Sequence, residues 1–227
     1  TNTARAEESR AFLEARYREA GAVVEIDVET DYRIAVVRKD VDTVFVTNYT
    51  SEHRGPTEAA LAAGKQVYLD KPMATTLDDA KAIMEAERRS GRSIIMGFTR
   101  RYENTWRTVV DLLRSGEIGE LQTILLRSVI PYARYFQRWH RFHQRSGGAL
   151  NDKVSHYFDA LNWIADSHPE ALSAFGGRSD VFAPDPTAPR RCRECDRNCP
   201  FRALPGPGHP EIGIVYRLDP DYRKQKD

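Results

Sequence analysis

The segment after the glycine pair Gly147-Gly148 sets three ionisable side chains at helical spacing. If a helix starts near position 151, the residues at i, i+4 and i+7 share one face: Asp152, His156 and Asp159. An imidazole between two carboxylates can take up and release a proton near neutral pH. The spacing is typical of half an active site, and equally of a capped surface helix with a solvated charged face.

A lysine follows directly on a short apolar run in the first half of the chain. Lys71 and Pro72 come after residues 66–69, which have a strand-type composition. Lysine in a loop is ordinarily solvated, but a cation beside a ligand cleft can stabilise a developing alkoxide. Lys71 is therefore a candidate for the other half of the site.

The order of apolar patterns predicts an α/β fold. Helical periods alternate with short β-branched or apolar runs, which indicates right-handed crossovers and a parallel sheet covered on both faces. The predicted helices are 4–20, 52–63 and 77–89, with a weak one at 32–38, and the predicted strands are 43–47, 66–69 and 93–98, with a short β-branched run at 23–28. We predict a partial doubly wound domain over residues 1–98.

The pattern changes after residue 98. A helix over 104–114, extended runs over 120–131 and 172–182, and the helix after Gly148 predict a partial C-terminal α+β substrate domain over 99–227. In parallel sheets, ligands bind beyond the carboxyl ends of the strands, which here means residues 47–53 and 70–73.

Taken in order, these motifs resemble the Gfo/Idh/MocA oxidoreductase family. The resemblance is colinear and covers most of residues 1–166, and the lysine-proline and glycine-glycine motifs carry its specificity. It implies a Rossmann-like first domain, NAD or NADP as cofactor, and Lys71, Asp152 and His156 as catalytic residues. It further implies His156 as the base for a substrate hydroxyl, Asp152 as the residue that orients its ring, and Lys71 as the group that stabilises the alkoxide.

The resemblance also suggests which residues contact the cofactor and the substrate. Residues that follow the strands would line the nicotinamide: Thr47, Asn48, Thr50, His53, Asp70, Lys71, Pro72 and Arg101. Thr and Asn after a strand are also ordinary helix-start residues, and Arg101 could equally form a structural salt bridge. Substrate contacts would come from Tyr135, Trp139, Asp152 and His156, since an aromatic and basic segment over 134–145 precedes the glycines. A partner-facing or interdomain loop is the alternative for that segment.

Two departures from the family stand out. Asp70 occupies the position where the family usually has glutamate, and the Gly-x-Gly-x-x-Gly turn of a dinucleotide-binding unit is missing. We therefore expect an internal fragment of a longer enzyme, cut at both ends. A natural short protein that has lost cofactor binding is the alternative.

Composition narrows the class of protein. The 34 Lys and Arg against 33 Asp and Glu give a net charge of +1 over 227 residues, which argues against a nucleic-acid or membrane-surface binder. The three cysteines, Cys192, Cys195 and Cys199, lack a fourth cysteine ligand, although His209 follows. A loop of free thiols is favoured over a metal site, and a reducing, cytoplasmic location follows.

The sequence thus predicts hydride transfer between a nicotinamide cofactor and a sugar, polyol or related carbohydrate, in a homo-oligomer assembled through the C-terminal sheet. An NAD-dependent glycosidase of the same family is one alternative. A non-catalytic sensor or scaffold that binds dinucleotide or sugar is another.

Overall fold

The computed structural model describes residues 3–129 and 139–177, together with Thr187 and Asp196. Its elements in chain order are α1 Thr3–Glu19, α2 Tyr32–Val36, β1 Thr43–Val46, α3 Arg54–Ala62, β2 Gln66–Leu69, α4 Leu77–Ser90, β3 Ile94–Met96, α5 Asn104–Ser115, α6 His143–Ser146 and α7 Ser155–Ala165. Short 3-10 turns lie at Thr50–Glu52, Thr99–Tyr102 and Trp139–Arg141, and a π-helical turn lies at Leu150–Val154.

The three strands form a parallel sheet in the order β1-β2-β3. Thr43 pairs with Gln66, and Val67 pairs with Ile94, so the carboxyl ends of all three strands meet at one edge. The α/β fold with a parallel sheet is confirmed. This edge is where the candidate site residues of the first domain lie.

Local signals explain where the helices begin and end. The Thr76 hydroxyl accepts a hydrogen bond from the backbone N–H of Asp79 at the start of α4. Gly91, with φ of 63°, ends that helix in the left-handed region that glycine adopts without strain. Helices α3 and α4 pack on each other and bury one apolar core with the sheet, which includes Leu61, Val67, Leu69 and Ile83.

In the described part of the chain, these two crossover helices cover one face of the sheet, where we predicted cover on both. Phe45 on β1 and Ile95 on β3 remain 67% and 56% exposed on the other face. Two successive right-handed crossovers in the same direction place both helices on the same side. A doubly wound sheet reverses its strand order, and β1 to β3 contain no such reversal.

Three predicted extended runs form no strand among the described residues. Residues 23–28 lie between α1 and α2 without a pairing partner, and residues 120–129 and 172–177 are likewise unpaired. The rest of the last two runs lies outside the described residues. A strand needs a neighbouring edge, and an apolar sequence pattern does not supply one. No helix among the described residues combines the length and apolar character needed to cross a membrane.

Candidate active site

The loops after β2 and β3 approach each other closely at the carboxyl edge of the sheet. A Cβ on Gly97 would come within 2.9 Å of Asp70 Oδ1 and 2.7 Å of the Tyr68 hydroxyl oxygen, so only glycine fits there. Asp70 Oδ1 accepts a hydrogen bond of 2.8 Å from the backbone N–H of Lys71. The Asp70 carboxylate therefore fixes the backbone from which the Lys71 side chain departs.

Lys71 meets Asp152 across 81 positions of sequence. Its Nζ donates to the backbone oxygen of Asp152 at 2.8 Å and to Oδ1 at 3.1 Å. The Asp152 side chain is 2% exposed and that of Lys71 14% exposed. In such low-dielectric surroundings the pair interacts far more strongly than on the surface. The loop after β2 and the segment after Gly148 thus form one site.

Two further cationic or titratable groups lie near the same carboxylate. His140 Nε2 is 4.0 Å from Asp152 Oδ1, and Lys153 Nζ is 3.7 Å from Oδ2. Among the described residues, Oδ2 is buried and accepts no hydrogen bond. A buried carboxylate oxygen with spare acceptor capacity can bind a hydroxyl group of a ligand.

The backbone that carries Asp152 is a π-helical turn rather than the α-helix that we predicted from about residue 151. The turn covers Leu150–Val154, and the α-helix α7 begins at Ser155. Single π-turns inside helices are rare and are frequently found at functional sites. The α-helical spacing rule therefore does not give the side-chain directions at the start of this segment.

His156 is half-buried, and its surroundings keep it neutral. Desolvation, together with the charges of Lys71, Arg100 and Lys153, lowers the pKa of His156 to about 4, and Asp152 offsets only part of this effect. Its Nδ1 is buried with no hydrogen-bond partner among the described residues, and its ring lies 6.2 Å from that of Phe98. Asp152 contacts Lys71 and does not hydrogen-bond this ring, so the predicted orienting contact is absent.

Asp159 belongs to a separate ion pair. Arg101 donates from Nε to Asp159 Oδ2 at 2.9 Å and from its terminal nitrogen to Oδ1 at 2.8 Å, and the carboxylate is 11% exposed. Hydrogen bonding to Asp159 raises the pKa of Arg101. The structural salt bridge, which was the alternative role for Arg101, is observed. The Arg101 guanidinium joins the 3-10 turn Thr99–Tyr102 to α7 rather than pointing to the sheet edge.

The loop after β1 places its polar residues in different environments. Thr47 and Asn48 are exposed at the end of the strand, whereas Thr50 is 2% and His53 1% exposed. The two ring nitrogens of His53 lie 3.2 Å from the carbonyl oxygens of Asn48 and Met73. His53 thus joins the loops after β1 and β2, and its burial leaves it no surface for direct contact with a ligand. Pro72 is also buried and follows a cis peptide bond.

Trp139 lies against the same loop. Its ring meets that of Tyr49 edge-on at 5.2 Å and is stacked on His140 at 4.0 Å. Arg145 lies over the Tyr49 ring at 4.4 Å. Trp139 therefore stands near His140 and Asp152, with one face already covered. Tyr135 and the cysteines Cys192, Cys195 and Cys199 lie outside the described residues. The residues that the structure does describe contain no cluster of metal-ligating side chains.

Asn151 and Arg100, like His140 and Lys153, were not among the site residues predicted from the sequence. Asn151 hydrogen-bonds the backbone of the loop after β2, and Arg100, which is held between the rings of Trp106 and Tyr157, contributes to the low pKa of His156. Arg100 stands beside Arg101, for which a cofactor contact was predicted, and the contacts of the two arginines differ. Asn151 carried no signal beyond its place before Asp152.

The arrangement joins a buried ammonium–carboxylate pair to a neutral imidazole. A neutral imidazole can accept a proton, and a desolvated ammonium can stabilise an oxyanion. Such a set suits the oxidation of a carbinol or the reduction of a carbonyl group.

Comparison with known proteins places the chain in a family. The model of the oxidoreductase family with an NAD-binding Rossmann fold, GFO_IDH_MocA, matches residues 2–98, and that of the GFO/IDH/MocA C-terminal domain matches residues 106–188. The chain belongs to the Gfo/Idh/MocA family. The resemblance inferred from the sequence is confirmed, as is the order of a Rossmann-like sheet and a C-terminal domain.

Individual relatives agree with this assignment. The protein YteT of Bacillus subtilis (strain 168) is 33% identical over 147 residues, which are 63% of this chain and 34% of YteT. An inositol 2-dehydrogenase/D-chiro-inositol 3-dehydrogenase of Halalkalibacterium halodurans is 30% identical over 151 residues, 66% of this chain and 41% of that protein. The crystal structure of apo scyllo-inositol dehydrogenase from Lactobacillus casei superposes with a TM-score of 0.56 at 26% identity, covering 69% of this chain and 44% of that one.

The chain thus spans less than half the length of these Gfo/Idh/MocA relatives. The matches show an NAD-binding oxidoreductase family and include relatives that are named inositol dehydrogenases.

Proposed function

We propose that the protein is an NAD(P)-dependent oxidoreductase that transfers a hydride between the nicotinamide and a carbinol carbon of a sugar, polyol or related carbohydrate. The observation that carries the proposal is the buried contact of Lys71 with Asp152, four residues before His156. The names of the inositol dehydrogenases among its relatives support a substrate of this class.

The roles of the three residues follow from their surroundings. His156 is neutral at pH 7 because its pKa is about 4, so it can accept the hydroxyl proton of the substrate. Its Nδ1 is buried, which leaves Nε2 as the nitrogen for this step. Lys71 stabilises the alkoxide that forms as the proton leaves. Asp152 holds Lys71 in place, and its Oδ2, which accepts no hydrogen bond among the described residues and lies 3.7 Å from Lys153 Nζ, is available to a neighbouring substrate hydroxyl.

The residues at the sheet edge fit a dinucleotide. Thr47 and Asn48 present exposed polar groups after β1, and Lys71 supplies a cation after β2 at the same edge. Asp70 and Pro72 fix the backbone on either side of Lys71. His53 and Thr50 are buried, so they would support the cofactor-binding loops from inside the protein. A bound nicotinamide supplies the hydride acceptor, and either NAD or NADP suits these residues.

The proposal also includes the aromatic segment before Gly147, the location and the assembly of the protein. Trp139 would border the substrate beside His140, and Tyr135 would lie in the same segment. A cytoplasmic location and a homo-oligomer assembled through the C-terminal sheet complete the proposal.

The experiment is a steady-state assay of the full-length protein with inositols and common sugars. We expect NAD(P)H to form with at least one of them, and His156→Ala to lower kcat by about 100-fold or more, as the loss of a general base does. His168→Ala, at an exposed histidine beyond α7, is the matched control. Near-normal turnover of the His156 variant would refute the assignment. Release of a sugar without net NADH would point to the glycosidase instead.

A further inference from the structure

The side-chain amide of Asn151 joins two separate loops. Its Nδ2 donates to the carbonyl oxygen of Ala74 and to that of Ser146, both at 3.0 Å. Ala74 lies three residues after Lys71 in the loop that follows β2, and Ser146 ends the turn before Gly147. Both amide hydrogens are thus used in one link between the two halves of the site.

One end of this link is a fixed point. Ser146 is fully buried, and its hydroxyl donates to the carbonyl oxygen of His140 at 2.9 Å. The Ser146 hydroxyl oxygen also accepts a hydrogen bond of 3.0 Å from the backbone N–H of Gly148. Because Ser146 is held on both sides, a constraint applied by Asn151 acts on the loop of Ala74.

The side chain of Asn151 lies closely against Gly147. Gly147 has φ of 74°, and a Cβ there would lie 2.5 Å from Asn151 Nδ2. The amide therefore packs directly on the glycine, and its direction is set by the backbone as well as by its two acceptors.

The loop that carries Lys71 contacts two neighbouring residues of the π-helical turn Leu150–Val154. Asn151 contacts it through Ala74, and Asp152 contacts it through the Lys71 ammonium. His53 holds the intervening Met73 carbonyl from the side of β1. The hydrogen bond from Asn151 to Ala74 involves no charged group, and it joins this loop to the segment that carries Asp152 and His156.

We propose that Asn151 is a positioning residue that sets the place of the Lys71 ammonium relative to Asp152 and His156. This inference rests on the proposed function, because it assigns Asn151 an effect on catalysis through Lys71. Misplacement of a catalytic group by about 1 Å can cost about 100-fold in rate, so the loss of this link has a measurable effect.

The first test compares three variants of the full-length enzyme. Asn151→Ala removes both donors, and Asn151→Asp keeps the shape but turns an oxygen toward two carbonyl oxygens. We expect kcat to fall by about 10- to 100-fold in both, with little change in KM for the cofactor. Asn162→Ala on α7 removes the same amide away from these loops and should leave kcat within about twofold.

A double-mutant cycle separates positioning from general support of the fold. If Asn151 acts through Lys71, Asn151→Ala has little further effect on kcat when Lys71 is already methionine. Independent, multiplicative losses would overturn the proposal while leaving Lys71 catalytic. Full activity of Lys71→Met alone would refute the proposed function itself.

A second readout does not depend on turnover. Lys71 helps to lower the pKa of His156, so a displaced ammonium should let that pKa rise in Asn151→Ala. The titration of the His156 ring protons followed by NMR measures this directly. An unchanged titration in a folded Asn151→Ala variant would contradict the positioning role, whatever its stability.

Discussion

Lys71 contacts both the backbone and the side chain of Asp152, with its Nζ 2.8 Å from the carbonyl oxygen and 3.1 Å from Oδ1. The two residues come from different domains of the predicted architecture, so this contact, together with that of Asn151 with Ala74, sets how the halves of the site face each other. It also leads to tests of stability that need no assay of activity.

Removal of the lysine should destabilise the protein through the carboxylate that it leaves behind. In Lys71→Met the buried Asp152 loses its donor, and we expect a loss of about 1–3 kcal/mol in the free energy of unfolding at pH 7. Lys153 and His140 remain nearby, which keeps the loss below that of an isolated buried charge. Urea denaturation measures it.

The double variant Lys71→Met/Asp152→Asn supplies the control. Neutralising the carboxylate should recover part of the lost stability, because an amide costs less to bury without a partner than a charge does. A double variant less stable than Lys71→Met would show that the charge of Asp152 is not the cause.

His156 should make the protein less stable as the pH falls below neutrality. The unfolded chain protonates this histidine near its ordinary pKa of 6.5, whereas the folded protein does so near 4. Between these values the unfolded state binds more protons, so the contribution of His156 to the free energy of unfolding declines from about pH 6.5 to 4 and is constant above that range.

The urea midpoint at pH 7 and at pH 5 tests this effect. The decrease between the two should be smaller in His156→Gln than in the unmodified protein, while His168→Gln should retain the full decrease. Equal decreases in all three proteins would mean that the surroundings of His156 do not resist its protonation.

Arg101 should contribute to stability and not to cofactor affinity. Its guanidinium is bound by Asp159, so Arg101→Ala should cost about 1 kcal/mol of stability and leave KM for NAD or NADP within about twofold. Steady-state kinetics of the full-length enzyme measures KM, with Arg107→Ala on α5 as the control. A large rise in KM would restore the cofactor role that the sequence suggested.

Gly147 should tolerate a methyl group less well than other glycines with the same backbone conformation. Gly147→Ala combines a left-handed φ with a contact of 2.5 Å to Asn151, whereas Gly116, with φ of 77°, has open space around it. The strain of φ alone costs about 1–2 kcal/mol. Gly147→Ala should lower the Tm further than Gly116→Ala, and Asn151→Ala should reduce the difference, although the Cβ at position 151 remains 3.1 Å away. Equal Tm values would place the whole cost in the backbone.

Much of the first domain was predictable because its signals are local. The strand Gln66–Leu69 and the helix Leu77–Ser90, with Thr76 before it and Gly91 after it, follow from periodicity and end signals. The unpaired run over 23–28 shows the limit, because strand formation depends on a neighbour that composition does not reveal.

The site was predictable in its members more than in its contacts. The family resemblance named Lys71, Asp152 and His156, but the contacts of Asp152 depend on a loop 81 positions away and on a π-helical turn. Asn151 reaches Ala74 across 77 positions, and no spacing rule covers such a distance. The direction of a buried side chain is decided by tertiary packing, which one sequence does not encode in any local pattern.

The bond from Lys71 to the backbone oxygen of Asp152 separates the geometry of the site from its charge. A carbonyl group is present whatever residue occupies position 152, so substitution there changes the charge of the pocket and leaves one of the two bonds of the lysine in place. Natural divergence or laboratory evolution can therefore vary the chemistry at position 152 around an ammonium group that the main chain continues to hold.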